Sequence, residues 1–205
     1  MTKSLINTLA WDKMNGLIPA VVQDARTGRV LMLAYMNRDA LQKTLDTNQV
    51  TFYSRSRAQL WTKGETSGNT LTLIEIRPDC DNDAVLVIAE PAGPTCHTGR
   101  TSCFGQDADH TALESLGELD RLIQQRHRDR PPDSYTTTLF EAGLAKMAQK
   151  VGEEAVEVVV SALEEESRTI EESADLLYHL TVLLRSRGLS LTDVATTLSH
   201  RRHPK

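Results

Sequence analysis

Thr70-Leu71-Thr72-Leu73-Ile74-Glu75-Ile76-Arg77, Pro78-Asp79-Cys80-Asp81-Asn82-Asp83, Ala84-Val85-Leu86-Val87-Ile88-Ala89-Glu90: this stretch sets the fold class of the first half of the chain. Leu71 and Leu73 alternate with Thr70 and Thr72, the period of a strand. The run then turns more continuously apolar, and a second β-rich run follows the acidic segment. Residues 70–77 and 84–90 therefore read as strands. Working outward, residues 18–23 and 30–35 flank a turn at Arg26-Thr27-Gly28 and read as a hairpin. Residues 50–54 read as another strand. Asn37 is placed to cap a short helix over residues 38–46.

Past residue 112 the period becomes helical. The pattern predicts a helix over residues 112–130, stopped by Pro131-Pro132. A longer helix over residues 137–165 carries the stripe Phe140, Leu144, Met147, Val151, Ala155, Val158 and Ala162, at spacings of three and four. Residues 169–187 form the next helix, ended by Gly188, and residues 191–200 a last short one. Residues 105–110, Gly-Gln-Asp-Ala-Asp-His, read as the linker. The expected fold class is α+β: a β-rich, metal-binding domain over residues 1–112, then an all-α helical bundle over residues 113–205.

Composition limits the function classes. A net charge of −5 argues against a general nucleic-acid binder. Arg121, Arg126, His127, Arg128 and Arg130 form a local basic patch, which reads as a solvated helix end. No apolar run approaches the roughly 20 residues of a membrane span, so no membrane partner is expected. Residues 1–10 lack an apolar signal core. Three cysteines cannot all pair within one chain, which points to a reduced, cytoplasmic setting.

Asp79-Cys80-Asp81-Asn82-Asp83 also opens the chemistry. If it is extended, Asp79, Asp81 and Asp83 share one face and Cys80 takes the other. Oxygen ligands suit Mg2+ and sulfur suits Zn2+, so two metal sites are expected rather than one. A calcium loop is disfavoured: its sixth position would be Ala84 rather than glycine. Cys96 and Cys103, seven residues on, lie on a glycine-containing stretch, and His97 adjoins the first. Three thiolates with one open position make a catalytic type of zinc site. His97 is open to three roles, proton shuttle first, then ligand or loop hydrogen-bonder. Arg55, Ser56, Arg57, Lys63, Gly64, Glu65, Thr66 and Ser67 have the make-up of a phosphate pocket. Trp61 suits either a base or a core.

Ser54-Arg55-Ser56-Arg57, the run from Leu60-Trp61 to Gly68-Asn69, Asp79-Cys80-Asp81-Asn82-Asp83 and Gly93-Pro94-Thr95-Cys96-His97-Thr98-Gly99 closely resemble phosphoribosyl-AMP cyclohydrolase. The resemblance covers most of residues 11–104. It implies a hydrolase that opens the adenine ring of phosphoribosyl-AMP at N1–C6 with zinc-activated water, the third step of histidine biosynthesis. It implies zinc on Cys80, Cys96 and Cys103, and magnesium on Asp79, Asp81 and Asp83. It implies a homodimer with the site at the subunit interface.

In the helical half, Glu153, Glu154 and Glu157 lie within about one turn, and Glu172 and Asp175 are three apart on the next helix. Glu154 falls in the apolar stripe, and Asp175 lies among Ala174, Leu176 and Leu177. Carboxylates aimed at a core need a partner or a metal, so these five are magnesium-ligand candidates, with Glu154 and Asp175 as catalytic candidates. Lys150 reads equally as a charge partner or a phosphate ligand. This arrangement, with Ser134-Tyr135-Thr136 and Lys150-Val151-Gly152-Glu153-Glu154-Ala155, resembles phosphoribosyl-ATP pyrophosphatase over about residues 113–202. That implies magnesium-assisted hydrolysis of phosphoribosyl-ATP to phosphoribosyl-AMP and pyrophosphate, the second step of the same pathway. A deaminase is disfavoured because the H-x-E … P-C-x-x-C pattern is absent. A non-enzymatic metal- or nucleotide-sensing module is the remaining alternative.

Overall fold

The computed structural model describes residues 2–106, 111–164 and 166–202. The chain divides into two compact units, Met1–Glu114 and Ser115–Lys205.

The first unit begins with α1 (Thr2–Thr8) and a 3-10 turn at Trp11–Met14. Then come β1 (Ile18–Asp24), β2 (Val30–Met36), α2 (Arg38–Thr47), β3 (Thr51–Ser54), β4 (Gln59–Thr62), β5 (Leu71–Pro78) and β6 (Val85–Pro91). The main sheet runs β2-β1-β6-β5. β1 and β2 form the expected hairpin, β1 and β6 are parallel, and β6 and β5 are antiparallel. β1 and β6 alternate strictly, burying Ile18, Ala20, Val22 and Asp24 against Val85, Val87 and Ala89. That alternation fixes the register, since a one-residue slip would turn every apolar side chain outward. Asn37 caps α2 by accepting a 2.8 Å hydrogen bond from Ala40 N–H. Trp11, Leu31, Leu41, Val50, Phe52 and Leu71 complete the core. At roughly 1.5–3 kcal/mol per fully buried large apolar side chain, this cluster supplies the main drive for the fold.

β3 and β4 pair as a separate two-stranded sheet. It is tied to the first by Val50 N–H to Leu71 O at 2.9 Å and Leu73 N–H to Asn48 O at 2.8 Å. Three elements were not expected from the sequence: α1, the 3-10 turn and β4. β4 carries Leu60 and Trp61 inside a run rich in charge, hydroxyl and glycine, which hides its strand pattern.

The expectation that residues 79–83 are extended is corrected. They form the turn that closes the β5–β6 hairpin, with Asn82 at φ 62°. Asp79 Oδ1 accepts from the N–H groups of Asp83 (3.0 Å) and Ala84 (3.1 Å). Short polar side chains that bond backbone two or more residues on favour turns over strands.

The second unit contains α3 (Glu114–Asp129) from its second residue on, then α4 (Tyr135–Ala142), α5 (Leu144–Ser161), α6 (Glu166–Ser186) and α7 (Leu191–Arg202). A single helix over residues 137–165 is not observed. Gly143, at φ 84° and ψ 175°, breaks it into α4 and α5. That backbone region is essentially reserved for glycine. The break shifts the phase of the stripe: Phe140 and Met147 are buried, whereas Leu144 is 46% exposed. Ile123, Leu139, Phe140, Met147 and Val182 form the core. A buried ion pair, Asp120 with Arg185 at 3.0 Å, also takes the N–H of Leu191 and anchors the start of α7. Residues 107–110 of the expected linker, and residue 165 at the expected helix end, lie outside the described residues.

Candidate active sites

Chemistry gathers in both units. In the first, a cavity of about 570 Å3 is lined by Arg57 from the β3–β4 turn and by Trp61, Lys63, Gly64, Glu65, Thr66, Ser67 and Asn69 from β4 and its following loop. Cys96, His97 and Cys103 line the same cavity. The loop is built from its own backbone. Gly64 sits at φ +84°, and a Cβ there would fall 2.4 Å from Asn69 C. Gly68 N–H reaches Gly64 O at 2.8 Å, Glu65 accepts from Thr62 N–H at 3.0 Å, and Lys63 Nζ donates to Asn69 O at 3.3 Å. The Trp61 ring centroid lies 5.0 Å from that of Phe52 in the core, and Trp61 also lines the cavity.

The cysteine stretch folds back on itself through Cys96 N–H to Arg100 O (2.9 Å) and Thr95 N–H to Thr101 O (3.3 Å). It is pinned to β2 by Cys103 N–H to Leu31 O and Ser102 Oγ–H to Val30 O, at 2.8 and 2.7 Å. All three cysteines are free. A Thr98 hydroxyl 3.1 Å from Cys96 Sγ, with further help from Cys103 and Arg100, brings the Cys96 thiol down to about 7. Burial pushes the Cys103 thiol up, and the adjacent Cys96 adds to that. Burial holds the Lys63 ammonium below its ordinary value. One ready thiolate beside a second thiol is a donor set that suits a soft cation.

Cys80 is not among the residues of this cavity; it is exposed at the tip of the β5–β6 hairpin. Asp79, Asp81 and Asp83 do converge, with ligand oxygens within 4.8 Å of one another. The tight turn achieves this, not the strand alternation assumed from sequence. The Lys13 ammonium from the 3-10 turn pairs with Asp81 and Asp83. Arg55 and Ser56 do not reach the first cavity. They line another with Tyr35 and Tyr53, where the Arg55 guanidinium lies 3.9 Å from the Tyr35 ring centre.

In the helical unit, the carboxylates of Glu154 and Glu157 on α5 and Glu172 on α6 come within 4.8 Å of one another. Glu154 is buried at 6% exposure, as its place in the stripe requires. Lys150 Nζ lies 2.9 Å from both Glu153 and Glu154, and this double contact holds its ammonium above the ordinary range. Its observed contacts are those of a charge partner. A hydrogen bond and the nearby charge from Glu172 raise the Glu157 carboxyl above its usual value. Three carboxylates this close repel unless a proton or a cation lies between them, so the group fits a hard divalent ion. Glu153 and Asp175 are outside the cluster. Asp175 is exposed rather than aimed at a core. From its place four residues after Asp175, His179 reads as a capping or pairing residue more than a catalytic one. It is buried at 5% exposure, with Nε2 3.6 Å from Glu154 Oε1.

The two sites define a chain carrying two hydrolase domains. Residues 32–105 match the family model of phosphoribosyl-AMP cyclohydrolase, and residues 116–203 that of phosphoribosyl-ATP pyrophosphohydrolase. The chain belongs to the family of histidine biosynthesis bifunctional proteins. It is 56% identical to the histidine biosynthesis bifunctional protein HisIE of Xylella fastidiosa, over 94% of this chain and 92% of that one. It is 51% identical to the protein of the same name from Bacteroides thetaiotaomicron, over 94% and 95% of the two chains. Identity to that of Photobacterium profundum is 50%, over 97% and 98%. The chain is thus a bifunctional enzyme with cyclohydrolase and pyrophosphohydrolase activities, acting on phosphoribosyl-AMP and phosphoribosyl-ATP. Among the described residues, no helix is long and apolar enough to cross a membrane.

Proposed function

We propose that the helical unit cleaves the α–β phosphoanhydride of phosphoribosyl-ATP, and that the β-rich unit then opens the adenine ring of the product. In the first step Glu154, Glu157 and Glu172 hold Mg2+, with Glu153 and Asp175 at the margin of the site. Lys150 and His179 keep the buried Glu154 in place. When bound, the ion neutralises the polyphosphate and orients water for attack at phosphorus.

In the second step, Cys96 and Cys103 hold Zn2+ together with Cys80 of a second copy in a homodimer. The position of Cys80 outside the cavity supports the shared arrangement. The exposed apolar side chains Val156, Val159, Leu163 and Ile170 support a homodimer as well. Zinc supplies a water whose pKa is lowered towards 7. The chain's own groups do the rest. Trp61 lies against the base, and Arg57, Lys63 and the residue 64–67 loop face the phosphates, while Arg55 and Ser56 act from the neighbouring cavity. The water oxygen bonds to C6, the N1–C6 bond breaks, and His97 carries the proton to N1. Asp79, Asp81 and Asp83 hold a second Mg2+. The three free thiols fit a cytoplasmic setting.

The observation that carries this reading is the convergence of Cys96, His97 and Cys103 on the wall formed by the Trp61–Asn69 loop. The test is direct. Pure protein with phosphoribosyl-ATP and Mg2+ should release pyrophosphate and then show the ultraviolet change of ring opening. Glu154→Gln should lose the first step and keep ring opening of supplied phosphoribosyl-AMP. Mixed dimers of Cys80→Ala and Cys96→Ala subunits should recover ring opening; no recovery would sink the shared zinc site.

A further inference from the structure

Beside the carboxylates of the helical unit lies a group of rings that the metal does not use. Tyr135, the first residue of α4, is 54% exposed. Its ring stacks on Tyr178 with centroids 6.3 Å apart and planes 17° apart. His179 meets Tyr135 and Tyr178 edge-on, at 6.0 and 5.1 Å. Tyr178 is fixed in turn: its hydroxyl lies 2.8 Å from Thr136 Oγ1, which accepts from Arg126 Nη1 at 3.0 Å. An exposed aromatic face held rigid by two other rings is preorganised for a flat ligand.

A second observation points the same way. His179 Nδ1 has no hydrogen-bond partner among the described residues, although His179 is only 5% exposed. Buried polar atoms are normally satisfied. His179 Nδ1, left over in the ring cluster beside the open face of Tyr135, suits a ligand bearing ring nitrogens or hydroxyls. The cluster adjoins the carboxylates through His179 Nε2, 3.6 Å from Glu154 Oε1.

We propose that Tyr135, backed by Tyr178 and edged by His179, is the purine-stacking subsite of the pyrophosphohydrolase site. The ligand class is a purine nucleoside polyphosphate, its rings on Tyr135 and its phosphates towards Glu154 and Lys150. This rests on the reading of Glu154, Glu157 and Glu172 as the metal site for anhydride cleavage. Stacking away from the reacting phosphorus holds ground and transition states alike, so its loss falls on KM and spares kcat.

The experiment uses the full chain with Mg2+ and follows pyrophosphate release. Tyr135→Ala should raise KM for phosphoribosyl-ATP roughly ten- to a hundred-fold, the range for one stacked base, with kcat within about threefold. Tyr135→Phe, which keeps the ring, should restore KM. Two inhibitors separate the ends of the substrate. AMP inhibition should be lost in Tyr135→Ala, while inhibition by methylenediphosphonate, a pyrophosphate mimic, should persist. Tyr135→Leu, which keeps apolar bulk without a ring, serves if the alanine variant unfolds. Unchanged KM and AMP inhibition, or equal loss of both inhibitors, overturns the subsite. Full pyrophosphate release by Glu154→Gln would instead overturn the metal reading and remove this inference with it.

Discussion

Replacing Lys150 by methionine should strand a buried carboxylate. Lys150 Nζ is 2.9 Å from Glu154, whose side chain is 8% exposed, while the lysine itself is 22% exposed. Methionine keeps the apolar stem and removes only the charge. Deleting one partner of a buried ion pair costs about 3–5 kcal/mol. Because Lys150 is partly wetted, solvent screening brings the cost below that range, to about 2–3 kcal/mol. For a unit of this size that is a fall in Tm of roughly 10–20 °C. Far-ultraviolet circular dichroism follows the helical unit, in buffer with a chelator. Adding Mg2+ should recover most of the loss, because a cation among Glu154, Glu157 and Glu172 replaces the missing charge. A shift below about 3 °C would mean that water already compensates Glu154. A full loss that Mg2+ leaves untouched would count against the cation site itself.

Other perturbations separate the two units. Gly64→Ala places a Cβ 2.4 Å from Asn69 C at φ +84°; ring opening should collapse while pyrophosphate release continues, and retained ring opening would show that the loop can shift. The Glu157 carboxyl is raised from 4.5 in the folded chain, mainly by Glu172. Its stabilising contribution is complete below 4.5 and lost as pH rises through the folded value. In chelator, Tm should therefore decline over that interval, with the decline absent in Glu157→Gln and flattened by Mg2+; a Tm series against pH decides it. Zinc-free protein given Mg2+ should release pyrophosphate yet leave the purine ring closed. Ring opening at full rate without zinc would refute activation of the water by that metal.

Most of the architecture was legible because one period dominates each half. β1 and β6 alternate strictly, and α3 and α6 end at Pro131 and Gly188 signals that act locally. What escaped depends on contacts or backbone states that a period cannot encode. Gly143 is an ordinary helix-tolerated residue until its ψ of 175° is known. β4 gains its partner only when Phe52 and Trp61 meet. In the sites, residue types were readable and groupings were not. Cys96 and Cys103 came together as spacing suggested, but Arg55 left its neighbour Arg57 for another cavity. Glu154 was legible from its stripe. The burial expected of Asp175 was not found, because residues adjacent in sequence point to different sides of a helix and say little about its own surroundings.

The clamp that closes the β5–β6 hairpin also restricts valence. Two backbone N–H groups already occupy Asp79 Oδ1. Any cation held by the acidic tip therefore meets Asp79 through Oδ2 alone, and the carboxylate cannot chelate with both oxygens. A large ion that wants six to eight oxygens is poorly served by such a one-armed donor. A small ion that keeps several of its own waters loses little. Were a divalent ion to bind this tip, denticity at Asp79 would favour the smaller one before the charge of Asp81 or Asp83 enters.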